Sequence, residues 1–77
     1  MIVEKLQDIF REVFANDDLV LSLDMGTDDI EEWDSFAHIL LTETVESTFN
    51  IKIGMDEVFK IRTVADFVEV IEKNISE

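Results

Sequence analysis

No cysteine and no proline occur in this chain, glycine stands only at Gly26 and Gly54, and the one histidine is His38. Without cysteine there is no disulfide, no thiolate metal site and no cysteine nucleophile. One histidine excludes a multi-histidine metal site. Basic residues are also scarce, 6 against 19 acidic ones, for a formal net charge of -13. That balance argues against binding to DNA, RNA or an anionic membrane surface, each of which needs a cationic footprint. No apolar run exceeds four residues, so no segment is read as crossing a membrane. The opening MIVEKLQDIF lacks a charged region followed by an apolar one, so no secretory signal is expected and the default compartment is the cytoplasm.

What is present suits a small folded domain. The 77 residues suffice for one domain, 1–77, and 47% of them are hydrophobic, enough for a core. The scarcity of helix breakers favours helices. Ile2, Val3, Leu6, Ile9, Phe10, Val13 and Phe14 recur at steps of three and four, predicting a helix from about residue 2 to about 15, closed by Asn16-Asp17-Asp18. Residues 19–34 lack that period and carry many carboxylates. They read as a long ordered loop held to the core by Leu19, Leu21, Leu23, Ile30 and Trp33. A loop this long in so small a domain points to function.

A second helix is predicted over 35–49, capped by Asp34 or Ser35, with Phe36, Ile39, Leu40, Leu41, Val45 and Phe49 as its apolar stripe and Asn50 as its end. An extended link at 51–54 and a short helix at 55–60 follow, with Val58, Phe59 and Ile61 apolar. Thr63 and Asp66 form a capping-box pattern before a last helix that buries Val64, Phe67, Val68, Ile71 and Ile75. The expected fold is all-α: a small four-helix bundle, three main helices plus one short one, with the acidic loop between the first and second helices.

The focal point is Trp33-Asp34-Ser35-Phe36, where the loop meets the second helix. An Asp-Ser pair followed by a large apolar residue, heading an amphipathic helix midway along an acidic helical domain, resembles the acyl carrier protein family, whose signature is Asp-Ser-Leu. The likeness extends to Glu46-Ser47-Thr48-Phe49 and to the run Ile61-Arg62-Thr63-Val64-Ala65-Asp66-Phe67. The resemblance implies a substrate carrier and not an enzyme. Ser35 would receive phosphopantetheine from coenzyme A through a magnesium-dependent phosphopantetheinyl transferase. Asp34 would help that transferase and its metal engage. Acyl groups would ride on the arm's thiol as thioesters, presented to acyl-loading and acyl-processing enzymes. On residue chemistry alone, Ser35 is equally a plain helix cap. A helix N-terminus also suits a phosphodiester anion, through its unpaired N–H groups and dipole.

Several neighbours are candidate partner contacts: Trp33, Phe36, Ala37, Leu40, Glu43 and Glu46. Trp33 is expected chiefly to cover the core, with a partner contact as the alternative, since tryptophan is enriched at hot spots. Phe36 replaces the family's leucine. Ala37 and Leu40 stand where carriers of the fatty-acid type bear acidic residues, which suggests a specialised lipid, polyketide or related pathway, because charge complementarity governs partner choice. The cargo is open among acyl, polyketide and aminoacyl groups. Glu32-Trp33-Asp34, in place of the glycines that the peptidyl-carrier type sets before its serine, favours acyl. His38 is expected to be solvated or locally hydrogen-bonded. By resemblance, short cargo would tuck between helices against Phe36, Ile39, Leu40, Ile53, Phe59 and Val68, each of which also reads as plain core.

Two rival readings remain. One is an acidic helical interaction domain without a prosthetic group. The other is a calcium-responsive protein. Counted from Asp24, an EF-hand loop needs glycine at the sixth position and glutamate at the twelfth, where this chain has Asp29 and Ser35. A dedicated metal site is therefore not expected. Loose association of magnesium or calcium with the crowded carboxylates is, and it would raise the melting temperature above the effect of matched sodium chloride. The excess negative charge favours a monomer.

Overall fold

The computed structural model describes residues 2–75 as four helices: α1 (Ile2–Val13), α2 (Ser35–Phe49), α3 (Met55–Val58) and α4 (Val64–Ile75). The helical period of the first segment produces α1, which buries Leu6, Ile9 and Phe10. The helix stops slightly before the expected residue 15, and backbone geometry stops it. Ala15 is left-handed at φ 52°, the Asn16 N–H reaches back to the Arg11 carbonyl at 3.0 Å, and the Ala15 N–H to that of Glu12 at 3.3 Å. These are the two bonds of a Schellman turn, with alanine at the position that usually takes glycine.

The caps of the other helices follow the sequence signals. Asn50, at φ 56°, ends α2. At the head of α4 the Thr63 hydroxyl accepts the Asp66 N–H at 3.1 Å, and the Asp66 carboxylate accepts the Thr63 N–H at 3.2 Å, a reciprocal capping box. The short α3 ends at Val58, before the expected residue 60.

The loop of residues 19–34 is stitched to both outer helices. Arg11 Nε donates to the Leu19 carbonyl at 2.7 Å, and Gln7 Oε1 accepts the Leu21 N–H at 3.0 Å. Across from them, the Thr27 N–H donates to Arg62 O at 3.0 Å, Val64 N–H to Met25 O at 2.8 Å and Ala65 N–H to Leu23 O at 3.0 Å. Gly26 sits inside this crossing: a Cβ there would lie 2.7 Å from the Arg62 carbonyl oxygen. Leu21, Ile30 and Trp33 enter the core as expected, and Leu19 is half-buried. Leu23 does not enter the core. Its side chain is exposed while its backbone does the tethering.

The centre of the core is Leu6, Phe10, Leu41, Val45, Val64, Phe67 and Ile71, all fully buried. Trp33 meets Phe10 edge-on, with ring centroids 5.2 Å apart, and stacks on Phe67 at 6.1 Å. The expected stripe of α2 requires correction. Leu41 and Val45 are buried and Phe49 is half-buried, but Phe36, Ile39 and Leu40 are exposed. The interior positions of α2 are Ala37, His38, Leu41, Thr42 and Val45. Phe59 and Ile75, also expected inside, are exposed, and Val68 is half-buried.

Candidate functional site

Asp34 and Ser35 divide the head of α2 between them. Asp34 has extended backbone, and its Oδ1 accepts the Ala37 N–H at 2.9 Å. Its carbonyl accepts the His38 N–H at 2.8 Å. Asp34 is therefore the cap, and Ser35 is the first residue of the helix. The Ser35 side chain is exposed, and its hydroxyl makes no hydrogen bond among the described residues. The backbone N–H groups of Ser35 and Phe36 likewise have no acceptor among them. An exposed hydroxyl beside two open amides at the positive end of a helix fits a covalently attached phosphodiester, because the amides and the dipole both favour an anion there.

The candidate partner contacts fall into three groups. Phe36 is 73% exposed directly after Ser35, and Leu40 and Glu43 are also exposed. Trp33 and Ala37 are buried at 4% and 7% exposure, so as folded neither offers its side chain to a partner; packing against Phe10 and Phe67 draws Trp33 inward. Glu46 is half-buried, and its Oε2 accepts the Ile53 N–H at 2.7 Å, which fixes the link that follows α2.

A groove of about 250 Å³ runs between α2 and α3. Ile39, one turn beyond Ser35 on the same helix face, lines it with Thr42, Ile53, Met55, Val58 and Phe59, and Glu43 and Glu46 contribute carboxylates. Three of the expected lining residues are there: Ile39, Ile53 and Phe59. Phe36, Leu40 and Val68 do not line it. Sequence reasoning missed Thr42, Met55 and Val58. Met55, apolar and next to Gly54 at the start of a short helix, carried a usable signal.

His38 is also corrected. It is buried and not solvated; one ring partner is local, Trp33 Nε1 donating to Nδ1 at 3.0 Å from five residues back, and the other is distant, Nε2 lying 2.7 Å from the Val58 carbonyl oxygen. Among the described residues no group of three or more acidic or histidine side chains is placed to hold a metal ion.

The chain matches the family model for the phosphopantetheine attachment site over residues 4–71. It is also similar to the solution NMR structure of a holo acyl carrier protein from Geobacter metallireducens, at 32% identity and a TM-score of 0.88, covering 96% of this chain and 85% of that one. No curated protein matches the sequence closely enough to count as a relative.

Proposed function

The chain belongs to the phosphopantetheine attachment family, and on that premise we propose that Ser35 is the residue that carries the group. The domain is a carrier of the acyl carrier protein type with covalently attached phosphopantetheine. The observation that supports Ser35 is its placement: an exposed, unengaged hydroxyl on the first residue of α2, with the cap role already filled by Asp34. The bound arm supplies a terminal thiol on which acyl groups are held as thioesters.

The residues around Ser35 divide the remaining work. The open amides of Ser35 and Phe36 receive the phosphodiester's negative charge. Asp34 holds the turn and presents a carboxylate to the transferase and its magnesium. Phe36 and Leu40 offer apolar surface to the enzymes that load and process the cargo, with Glu43 beside them. This apolar face supports a specialised lipid or polyketide pathway over bulk fatty acid synthesis. If the holo-protein were loaded and elongated by fatty acid synthase enzymes as fast as a housekeeping carrier, that finer reading would fail. No described helix is long and apolar enough to cross a membrane. We place the carrier in the cytoplasm as a monomer, modified in trans.

The deciding experiment is intact-mass measurement after incubation with coenzyme A, magnesium and a broad-specificity phosphopantetheinyl transferase. One added phosphopantetheine, absent from Ser35→Ala, is the expected result. A wild-type chain that gains nothing, or a Ser35→Ala chain that still gains the arm, overturns the assignment.

A further inference from the structure

One buried ring ties together both sides of the Ser35 site. His38 Nδ1 accepts from the Trp33 indole, which lies in the segment delivering the chain to Ser35. His38 Nε2 is 2.7 Å from the carbonyl of Val58, a wall of the groove one turn below Ser35. An indole N–H can only donate and a carbonyl oxygen can only accept. The partners therefore fix the ring as neutral, with its hydrogen on Nε2 donated to Val58. The backbone of His38 is held as well, its N–H by the Asp34 carbonyl at 2.8 Å and its carbonyl by the Thr42 hydroxyl at 2.9 Å. Phe67 lies against both rings, 5.8 Å from His38 and 6.1 Å from Trp33 between centroids. The α3 helix is a single turn of 4 residues. A turn that short does not hold itself together in water, so its position depends on tertiary contacts of this kind.

We infer that His38 is a positioning residue for the carrier site: through Trp33 it sets the approach to Ser35, and through Val58 it sets α3 across the groove. The inference rests on the Ser35 reading for its functional half, whereas its structural half stands apart from that reading.

Two near-isosteres separate the two bonds. His38→Asn keeps an acceptor near Nδ1 for Trp33, and His38→Gln keeps a donor near Nε2 for Val58; His38→Leu removes both. Imidazole ¹⁵N shifts in the wild-type chain should report the Nε2–H form, and the Trp33 indole N–H should be protected from exchange in the wild type and in His38→Asn but not in His38→Gln. At a temperature where each variant is folded, His38→Gln should raise the transferase KM about fivefold, the scale of one lost hydrogen bond, with kcat little changed and His38→Asn closer to wild type. A ring protonated on Nδ1, a freely exchanging wild-type indole, or a folded His38→Gln with wild-type KM overturns the inference. If His38→Leu does not fold, the Asn and Gln pair still decides it. A wild-type chain that takes up no arm would instead sink the Ser35 assignment and leave the spectral test standing.

Discussion

The Asp34 carboxylate accepts the Ala37 amide at 2.9 Å, and this bond leaves the neighbouring Ser35 hydroxyl without a structural task. Asp34→Ala should therefore cost about 1 kcal/mol of stability, the usual worth of a cap. For a domain of this size that corresponds to a melting temperature lower by about 4–8 °C. Asp34→Asn keeps the acceptor and should melt near wild type while taking up phosphopantetheine more slowly, because the charge offered to the transferase is gone. Thermal unfolding read alongside an intact-mass time course separates the two roles. Equal melting of the alanine variant and wild type would remove the capping argument.

Ala15 closes α1 in a left-handed conformation, at φ 52°, on an exposed position. A Cβ there is strained by about 1–2 kcal/mol. Ala15→Gly should stabilise the fold, by about 1 kcal/mol once the greater freedom of glycine in the unfolded chain is set against the relief. A higher denaturation midpoint at unchanged m-value is the expected result.

Gly26 behaves in the opposite way. It needs no unusual backbone angle, but an added methyl would meet the Arg62 carbonyl oxygen at 2.7 Å. Gly26→Ala should destabilise by about 1–3 kcal/mol, the range for forcing extra volume into a packed site. Faster amide exchange of Thr27 and Val64, whose bonds bracket the crossing, would locate the damage, and unaltered exchange there would contradict it.

Phe36 sits on the surface beside Ser35, so truncating it should separate stability from recognition. Phe36→Ala is expected to change unfolding free energy by no more than about 0.5 kcal/mol. If its ring is an anchor for partner enzymes, their KM should rise about fivefold or more, the loss that marks a residue contributing above about 1 kcal/mol. Steady-state kinetics with any enzyme that accepts the holo-protein provides the check. An unchanged KM would assign Phe36 no part in docking.

What is local in this fold is legible in its sequence. The Thr63–Asp66 box and the Asn50 terminus involve partners within a few residues, and each stands where the pattern places it; the pattern leaves the cap of α2 open between Asp34 and Ser35, and the structure gives it to Asp34. The groove's Ile39, Ile53 and Phe59 come from the family resemblance, which equally implies Phe36, Leu40 and Val68, and those three do not line it. The second helix was harder because its apolar residues spread around the axis, so periodicity could not tell Leu41 from Leu40. Burial there is decided by partners distant in the chain. His38 is stable inside only because Trp33 and, 20 residues away, Val58 satisfy both ring nitrogens. Trp33 is buried as its reading as a core cover expects, edge-on to Phe10 and stacked on Phe67.

The uncovered rings of Phe36 and Phe59 and the thioether of Met55 would be adhesive on a neutral molecule. At -13, copies of this carrier repel each other before those side chains can touch. Screening length falls from about 10 Å at 0.1 M salt to about 3 Å at 1 M, so brine should reveal the adhesiveness as reversible clustering in light scattering, weakened by Phe36→Ala.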